Sequence, residues 1–189
     1  MNSFKNFSLK KLNESQGSFD VPKTQDIVYF IGYENDERYS NRPHLFDINA
    51  ENSRLRAADA EFFHFYLDKW QASEEYDDLR YEIGDDDLRL FKARVEYHGS
   101  PIRFFVLPYA EHKNISEEKA AKELDKYVEK ALNADTMPDA KKMMKHPITK
   151  WLMKNGVEGF SAKSKDMGRK SYVILLYGID YFVQVWQTV

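Results

Sequence analysis

The chain has no cysteine. That excludes disulfides, thiolate metal sites and a cysteine nucleophile, and it suits a protein that works regardless of redox state. No apolar run approaches the roughly 20 residues that a membrane-spanning helix needs, so no membrane partner is expected. Only 8 glycines are present, and none forms a phosphate-cradling loop or a Gly-x-Ser-x-Gly nucleophile elbow. An excess of positive charge is missing too. The net charge of −3 argues against a general nucleic-acid binder, which displaces counterions with a basic surface. Five histidines (His44, His64, His98, His112 and His146) are scattered, with no His-x-x-x-His pair, so a zinc site has no support. Asp85, Asp86 and Asp87 are acidic enough for a hard cation, but three adjacent carboxylates fit a solvated turn better. No cofactor is implied.

What is present is core-forming material. In 189 residues, 42% are hydrophobic and 15% aromatic, which is enough to fold one domain around a core. Residues 15–25 are small and polar with Pro22 and read as a linker. Ile27 to Ile31 is a β-branched and aromatic run ending at Gly32, hence a buried strand. Residues 34–43 read as a charged loop. Over 53–71, Leu55, Ala58, Phe62, Phe65, Tyr66 and Trp70 recur at three- and four-residue spacing behind Ser53, which predicts a helix. Residues 72–87 read as an acidic connection.

Leu88–Tyr97 alternates, with Phe91, Ala93, Val95 and Tyr97 on one face and Leu90, Lys92, Arg94 and Glu96 on the other, which predicts a half-buried strand. After a turn at 98–101, Ile102–Leu107 is expected as its hairpin partner. Ser116 caps a second helix with a stripe of Ala120, Leu124, Tyr127, Val128, Ala131 and Leu132. A short third helix spans Ile148–Lys154, with Pro147 at its start and Gly156 at its end. A Lys- and Ser-rich loop at 161–170 precedes a central strand, Tyr172–Tyr177, then a turn at 178–180 and a last strand, Tyr181–Trp186. The expected fold is α+β: one domain over 26–189, a mostly antiparallel twisted sheet with two longer helices and one short one.

The first fifteen residues stand apart. They are basic and weakly apolar, with Phe4 and Phe7 three apart, so a short helix would place both on one face against a partner. The apolar centre of a secretion signal is missing. Met1-Asn2-Ser3-Phe4-Lys5-Asn6-Phe7 resembles the capsid-targeting peptide of T-even-type phage internal head proteins, of the form Met-Lys-Thr-Tyr-Gln-Glu-Phe. Leu12-Asn13-Glu14 before Ser15 resembles the Leu/Ile-x-Glu site that the prohead protease of those phages cuts. The likeness covers about a twelfth of the chain, and this leader is a few residues longer than usual. It implies targeting through Phe4 and Phe7, cleavage between Glu14 and Ser15, and residence in the head interior of the virion and then in the host cytoplasm. The implied partners are the phage scaffold or prohead, the prohead protease and a host protein target, with no sequence-specific nucleic acid. Loss of Lys5, Lys10, Lys11 and Glu14 would leave a more acidic body, released more readily from phosphate-rich DNA.

The body carries a second, weaker resemblance. His146 to Phe160, a short helix and an Asn-Gly turn before a buried strand, is similar to the C-terminal part of ADP-ribosyltransferase-like domains, and the strand at 27–31 suits their opening. That family holds NAD with an Arg or His on the opening strand and uses a Glu near the late strand to stabilise a cationic sugar. Neither 27–31 nor 172–177 supplies these. Glu158, Arg38 and Arg42 are the only substitutes, so the resemblance implies a degenerate relative without assigned catalytic residues. Four functions compete: an injected inhibitor that occludes a host defence or restriction protein, an ADP-ribosyltransferase-like enzyme, a structural protein of the capsid interior, and a cytosolic bacterial protein whose leader is accidental. For the first, Trp70, Tyr76 and Tyr81 are candidate anchors, and the acidic stretch 74–87 offers complementarity to a basic target.

Overall fold

The computed structural model describes residues 20–34, 45–49, 54–56, 63–84, 88–134, 137–165, 168, 170–176 and 184–188. The strands are β1 (Lys23–Glu34), β2 (Leu45–Asn49), β3 (Arg54–Arg56), β4 (Phe63–Tyr66), β5 (Leu88–His98), β6 (Gly159–Lys163), β7 (Ser171–Leu175) and β8 (Gln184–Thr188). The α-helices are α1 (Lys69–Ile83), α2 (Val106–Lys113), α3 (Glu117–Leu132), α4 (Met137–Met144) and α5 (Pro147–Lys154). The chain is an α+β domain with a mostly antiparallel sheet, as its sequence predicts.

The β1–β5 pair is the spine. It runs antiparallel from Lys23 opposite His98 to Tyr33 opposite Leu88. The far edge of β1 is shared: residues 31–34 take β2 in parallel, and Tyr29 meets Tyr66 at the end of β4. β4, β7 and β6 continue antiparallel, β3 adds to β2, and β8 adds to β5. A parallel bridge between Gly99 and Gly159 brings β6 back to the end of β5, so the path β5–β1–β4–β7–β6 returns to its first strand. Both glycines are needed there. A Cβ on Gly99 would lie 1.9 Å from the carbonyl oxygen of Gly159, and one on Gly159 would lie 2.9 Å from that of Ile174.

Strand alternation divides the core. Val28, Phe30, Phe65, Ala93, Val95 and Val173 are buried, and the Phe30 ring stacks on Phe91 at 5.4 Å and meets Phe65 edge-on at 5.8 Å. Each such phenylalanine is worth about 1.5–3 kcal/mol of burial. On the opposite face, Phe160, Ala162, Tyr172 and Ile174 pack under α2–α5. Ile31, Leu88 and Leu90 form a smaller cluster under Ala72 of α1.

The helix capped by Ser116 and its buried stripe are as predicted; the Ser116 hydroxyl accepts from the Lys119 N–H. The short helix starts at Pro147 and is followed by Gly156 at φ 80°. Other expectations are corrected. Residues 53–71 are not one helix: they include β3 and β4, and a helix begins only at Lys69. Phe65 and Tyr66 fit the helical period, but the same residues pair with Val173 and Tyr172 on β7, and a short apolar run does not distinguish the two periods. The acidic connection is instead helix α1 over 69–83. Its apolar stripe is narrow because it covers only one small cluster.

Residues 102–107 are not a hairpin strand. They form a 3-10 turn (Ile102–Phe105) and the start of α2, where Pro108 sits in a first turn that needs no N–H donor. α4 was not anticipated. Part of the expected loop at 161–170 is β6, which pairs with β7 through Lys163. The linker ends earlier than expected, since Lys23, Thr24 and Gln25 already pair with β5. Residues 35–43, Ser53, 177–183 and the leader, with Phe4, Phe7, Leu12, Asn13, Glu14 and Ser15, lie outside the described residues.

Candidate interaction surface

α1 has a fixed orientation, and that decides what it presents. Asp68 opens it: its carboxylate accepts from the N–H groups of Trp70 (2.9 Å) and Gln71 (3.1 Å). Gly84 closes it at φ 65°, its N–H donating to the Arg80 carbonyl. Ala72 is fully buried against Ile31, Leu88 and Leu90, with Tyr76 and Leu79 beside it.

Polar ties add direction. The Tyr76 hydroxyl donates to the Leu88 carbonyl (3.1 Å), the Gln71 side-chain Oε1 accepts from the Ser171 N–H (2.9 Å), and Lys170 pairs with Glu75 at 3.3 Å. Tyr66 and Tyr172, ring centroids 5.1 Å apart, lie beneath this edge. Burial, and then the charge of Glu75, push the Tyr66 phenol well above its ordinary value, so it stays protonated.

With that face held to the sheet, positions 70, 74, 77, 78 and 81 fall within an arc of about 100° on the other side. Trp70 is 68% exposed and Tyr81 93%. Glu74, Asp77 and Asp78 stand between them, exposed and without an ion pair among the described residues. Eleven residues of helix separate the two rings by about 16 Å along the axis. The result is an acidic strip with an aromatic group near each end. Two of the three aromatic candidates are therefore brought together, and the third, Tyr76, is turned inward. The spacing of 70, 74, 77 and 81 was the available signal. The run of acidic residues that follows residue 71 masks that spacing, because it reads as a solvated connection.

The other candidates sit elsewhere. The Glu158 carboxylate accepts from the His98 N–H at 2.7 Å, while its own N–H donates to the His98 carbonyl at 2.7 Å and its carbonyl accepts from Leu176 at 2.8 Å. It holds β5 to the segment between α5 and β7. Arg38, Arg42 and Asp85–Asp87 lie outside the described residues. His64 is on β4, edge-on to Tyr172 at 5.8 Å, not on a helix. His112 stacks on Trp151 at 5.8 Å, and His146 caps α5. Among the described residues no helix is long and apolar enough to cross a membrane. Compared with known protein families and with curated proteins, the chain matches none.

Proposed function

We propose that the protein acts by binding: the outer face of α1 docks on a basic surface of a partner protein and occludes it. The observation that carries this reading is the placement of Trp70 and Tyr81, both exposed, on one helix face with Glu74, Asp77 and Asp78 between them. Trp and Tyr are frequent interface anchors and receive Lys and Arg side chains on their faces. The carboxylates steer a cationic surface into place and disfavour acidic ones.

The leader supplies the setting. Its likeness to capsid-targeting peptides supports an internal head protein that enters the prohead with the phage scaffold, is trimmed by the prohead protease after Glu14 and is carried with the DNA into the host cytoplasm. The partner is then a host defence or restriction protein.

Two measurements test this. Intact mass of the protein recovered from virions is expected to correspond to a chain starting at Ser15; retained Met1, or absence from particles, overturns the delivery. Photo-crosslinking from position 81 in infected cells is expected to give a discrete adduct that is lost in a Glu74→Lys/Asp77→Lys/Asp78→Lys variant. An adduct insensitive to that reversal overturns the α1 surface.

A further inference from the structure

Three consecutive helices carry lysines four residues apart: Lys126 and Lys130 on α3, Lys141 on α4 with Lys145 just after it, and Lys150 and Lys154 on α5. All six are exposed. Like charges at this spacing repel and weaken a helix. A lysine in a last turn has a compensating reason to be there, because it faces the negative end of the helix. That covers Lys130, Lys141 and Lys154. It does not cover Lys126, and it runs against Lys150, which sits in the first turn of α5 where no acidic residue stands.

Neighbouring acids are engaged elsewhere. Glu123 accepts from the Tyr109 hydroxyl, Asp125 pairs with Lys165, Glu129 accepts from Ser164 and the Lys165 N–H, and Asp139 pairs with Lys142. Among the described residues, Lys126, Lys130, Lys141, Lys145 and Lys150 have no carboxylate partner.

The three helices are locked into one body, so the backbone positions that carry these lysines are fixed relative to one another. The Tyr127 hydroxyl on α3 lies 2.8 Å from that of Thr149 on α5, which donates to the Met143 carbonyl of α4 at 2.7 Å. His146 marks where three of them, Lys130, Lys145 and Lys150, come near one another. Lys145 precedes it, the Lys150 N–H donates to its carbonyl at 3.0 Å, and the charge of Lys130 reaches its ring. Among the residues whose burial is described, the large exposed apolar side chains (Ile27, Trp70, Tyr81, Phe104 and Leu107) all lie outside α3–α5. A protein partner would need such anchors, whereas a phosphate backbone needs only positioned cations.

We propose that the lysine face of α3–α5, centred on Lys130, Lys145 and Lys150, binds the phosphate backbone of duplex nucleic acid without reading its sequence. The overall charge of −3 counts against tight general binding, but it averages the basic face with the acidic α1 and so leaves a local phosphate contact open. It does make the binding weak and steeply salt-dependent. Three lysines that neutralise three phosphates give a slope of log K against log salt of about −2.7.

Fluorescence anisotropy of the full chain with a labelled random-sequence duplex, from low to physiological ionic strength, tests this. Lys130→Glu/Lys145→Glu/Lys150→Glu is expected to weaken low-salt binding by at least about tenfold and flatten the slope, and the corresponding alanine variant to do so in part. Lys69→Glu/Lys113→Glu/Lys163→Glu, which carries the same charge change elsewhere, is expected to have a much smaller effect. In the wild-type chain, duplex is also expected to raise the NMR titration midpoint of His146 as phosphates approach it. No binding at low salt, equal loss in both triple variants, or equal binding of polyglutamate at the same lysines would each overturn the proposal.

Discussion

The hydroxyl of Tyr127 lies 2.8 Å from that of Thr149, and the direction of that bond is settled by a third group. Thr149 has one proton and gives it to the carbonyl of Met143, 2.7 Å away, so Tyr127 donates to Thr149. Tyr127 and Thr149 are both buried, and burial pushes the Tyr127 phenol far above its ordinary value, so it remains a donor at any physiological pH. Thr149→Val keeps the shape but leaves the buried Tyr127 hydroxyl without a partner and the Met143 carbonyl with only the His146 N–H. The expected loss is about 1–3 kcal/mol, read as a lower urea midpoint with unchanged slope. Thr149→Ser retains the hydroxyl and is expected to keep most of that stability.

The closure of the sheet rests on two missing side chains. A Cβ on Gly99 would meet backbone at 1.9 Å, and backbone cannot swing aside as a side-chain tip can. Gly99→Ala is therefore expected to break the bridge to Gly159 and to loosen the bonds that Glu158 makes with His98. A destabilisation of about 3 kcal/mol or more follows, of the size seen when a core is overpacked. Thermal melting measures the total, and amide exchange at His98 and Leu176 shows whether the damage starts at the closure. Gly84→Ala is the contrast. It meets nothing within 4 Å and carries only the strain of φ 65°, which costs about 1 kcal/mol.

The pattern of what the sequence revealed follows the range of the interactions involved. The α3 stripe and its Ser116 cap were legible because periodicity and capping act within one helix. β5 was legible because Phe91, Ala93, Val95 and Tyr97 alternate over a long run. β4 was not, since four residues hold no period of their own and its state is decided by β7, more than a hundred residues away in the chain. α1 was hidden for the opposite reason: it is mostly solvated, so its apolar stripe shrinks to Ala72, Tyr76 and Leu79. The candidate surface shared that fate. Trp70, Tyr76 and Tyr81 were visible as aromatic residues, but which of them faces outward depends on the bonds from the Ser171 N–H to the Gln71 side chain and from the Tyr76 hydroxyl to Leu88.

His146 gives the protein a defined response to acid. Its Nδ1 accepts from the Ile148 N–H at 3.2 Å and so caps α5, which requires an unprotonated nitrogen. Partial burial, and then the charge of Lys130, hold its pKa below the ordinary histidine value, while Tyr127 packs on the ring at 5.0 Å. Below about pH 6.5 the unfolded chain takes up a proton there before the folded one does. The histidine's contribution to stability is thus complete above that pH and is lost as pH falls through the folded value. His146→Asn keeps a capping acceptor without a titrating ring. It is expected to match the wild type at neutral pH and to show a shallower fall in melting temperature between about pH 6.5 and 5. Equal slopes for the two proteins would contradict this assignment.

Because α1 is held by its inner face, its outer face is expected to tolerate substitution. Trp70 and Tyr81 contribute little to the core at 68% and 93% exposure. Trp70→Ala/Tyr81→Ala is expected to change stability by no more than about 0.5 kcal/mol per site, as is usual at surface positions. Tyr76→Phe, only five residues before Tyr81, removes the hydroxyl that reaches Leu88 and is expected to cost about 0.5–1.5 kcal/mol. Urea unfolding of the three proteins side by side separates the two faces of one helix. The contrast also sets how a binding experiment is read: a double variant that melts like the wild type but no longer engages its partner has lost contact residues and not its fold. If the double variant instead melts well below the wild type, Trp70 and Tyr81 belong to the packing of the domain, and the acidic strip loses its anchors.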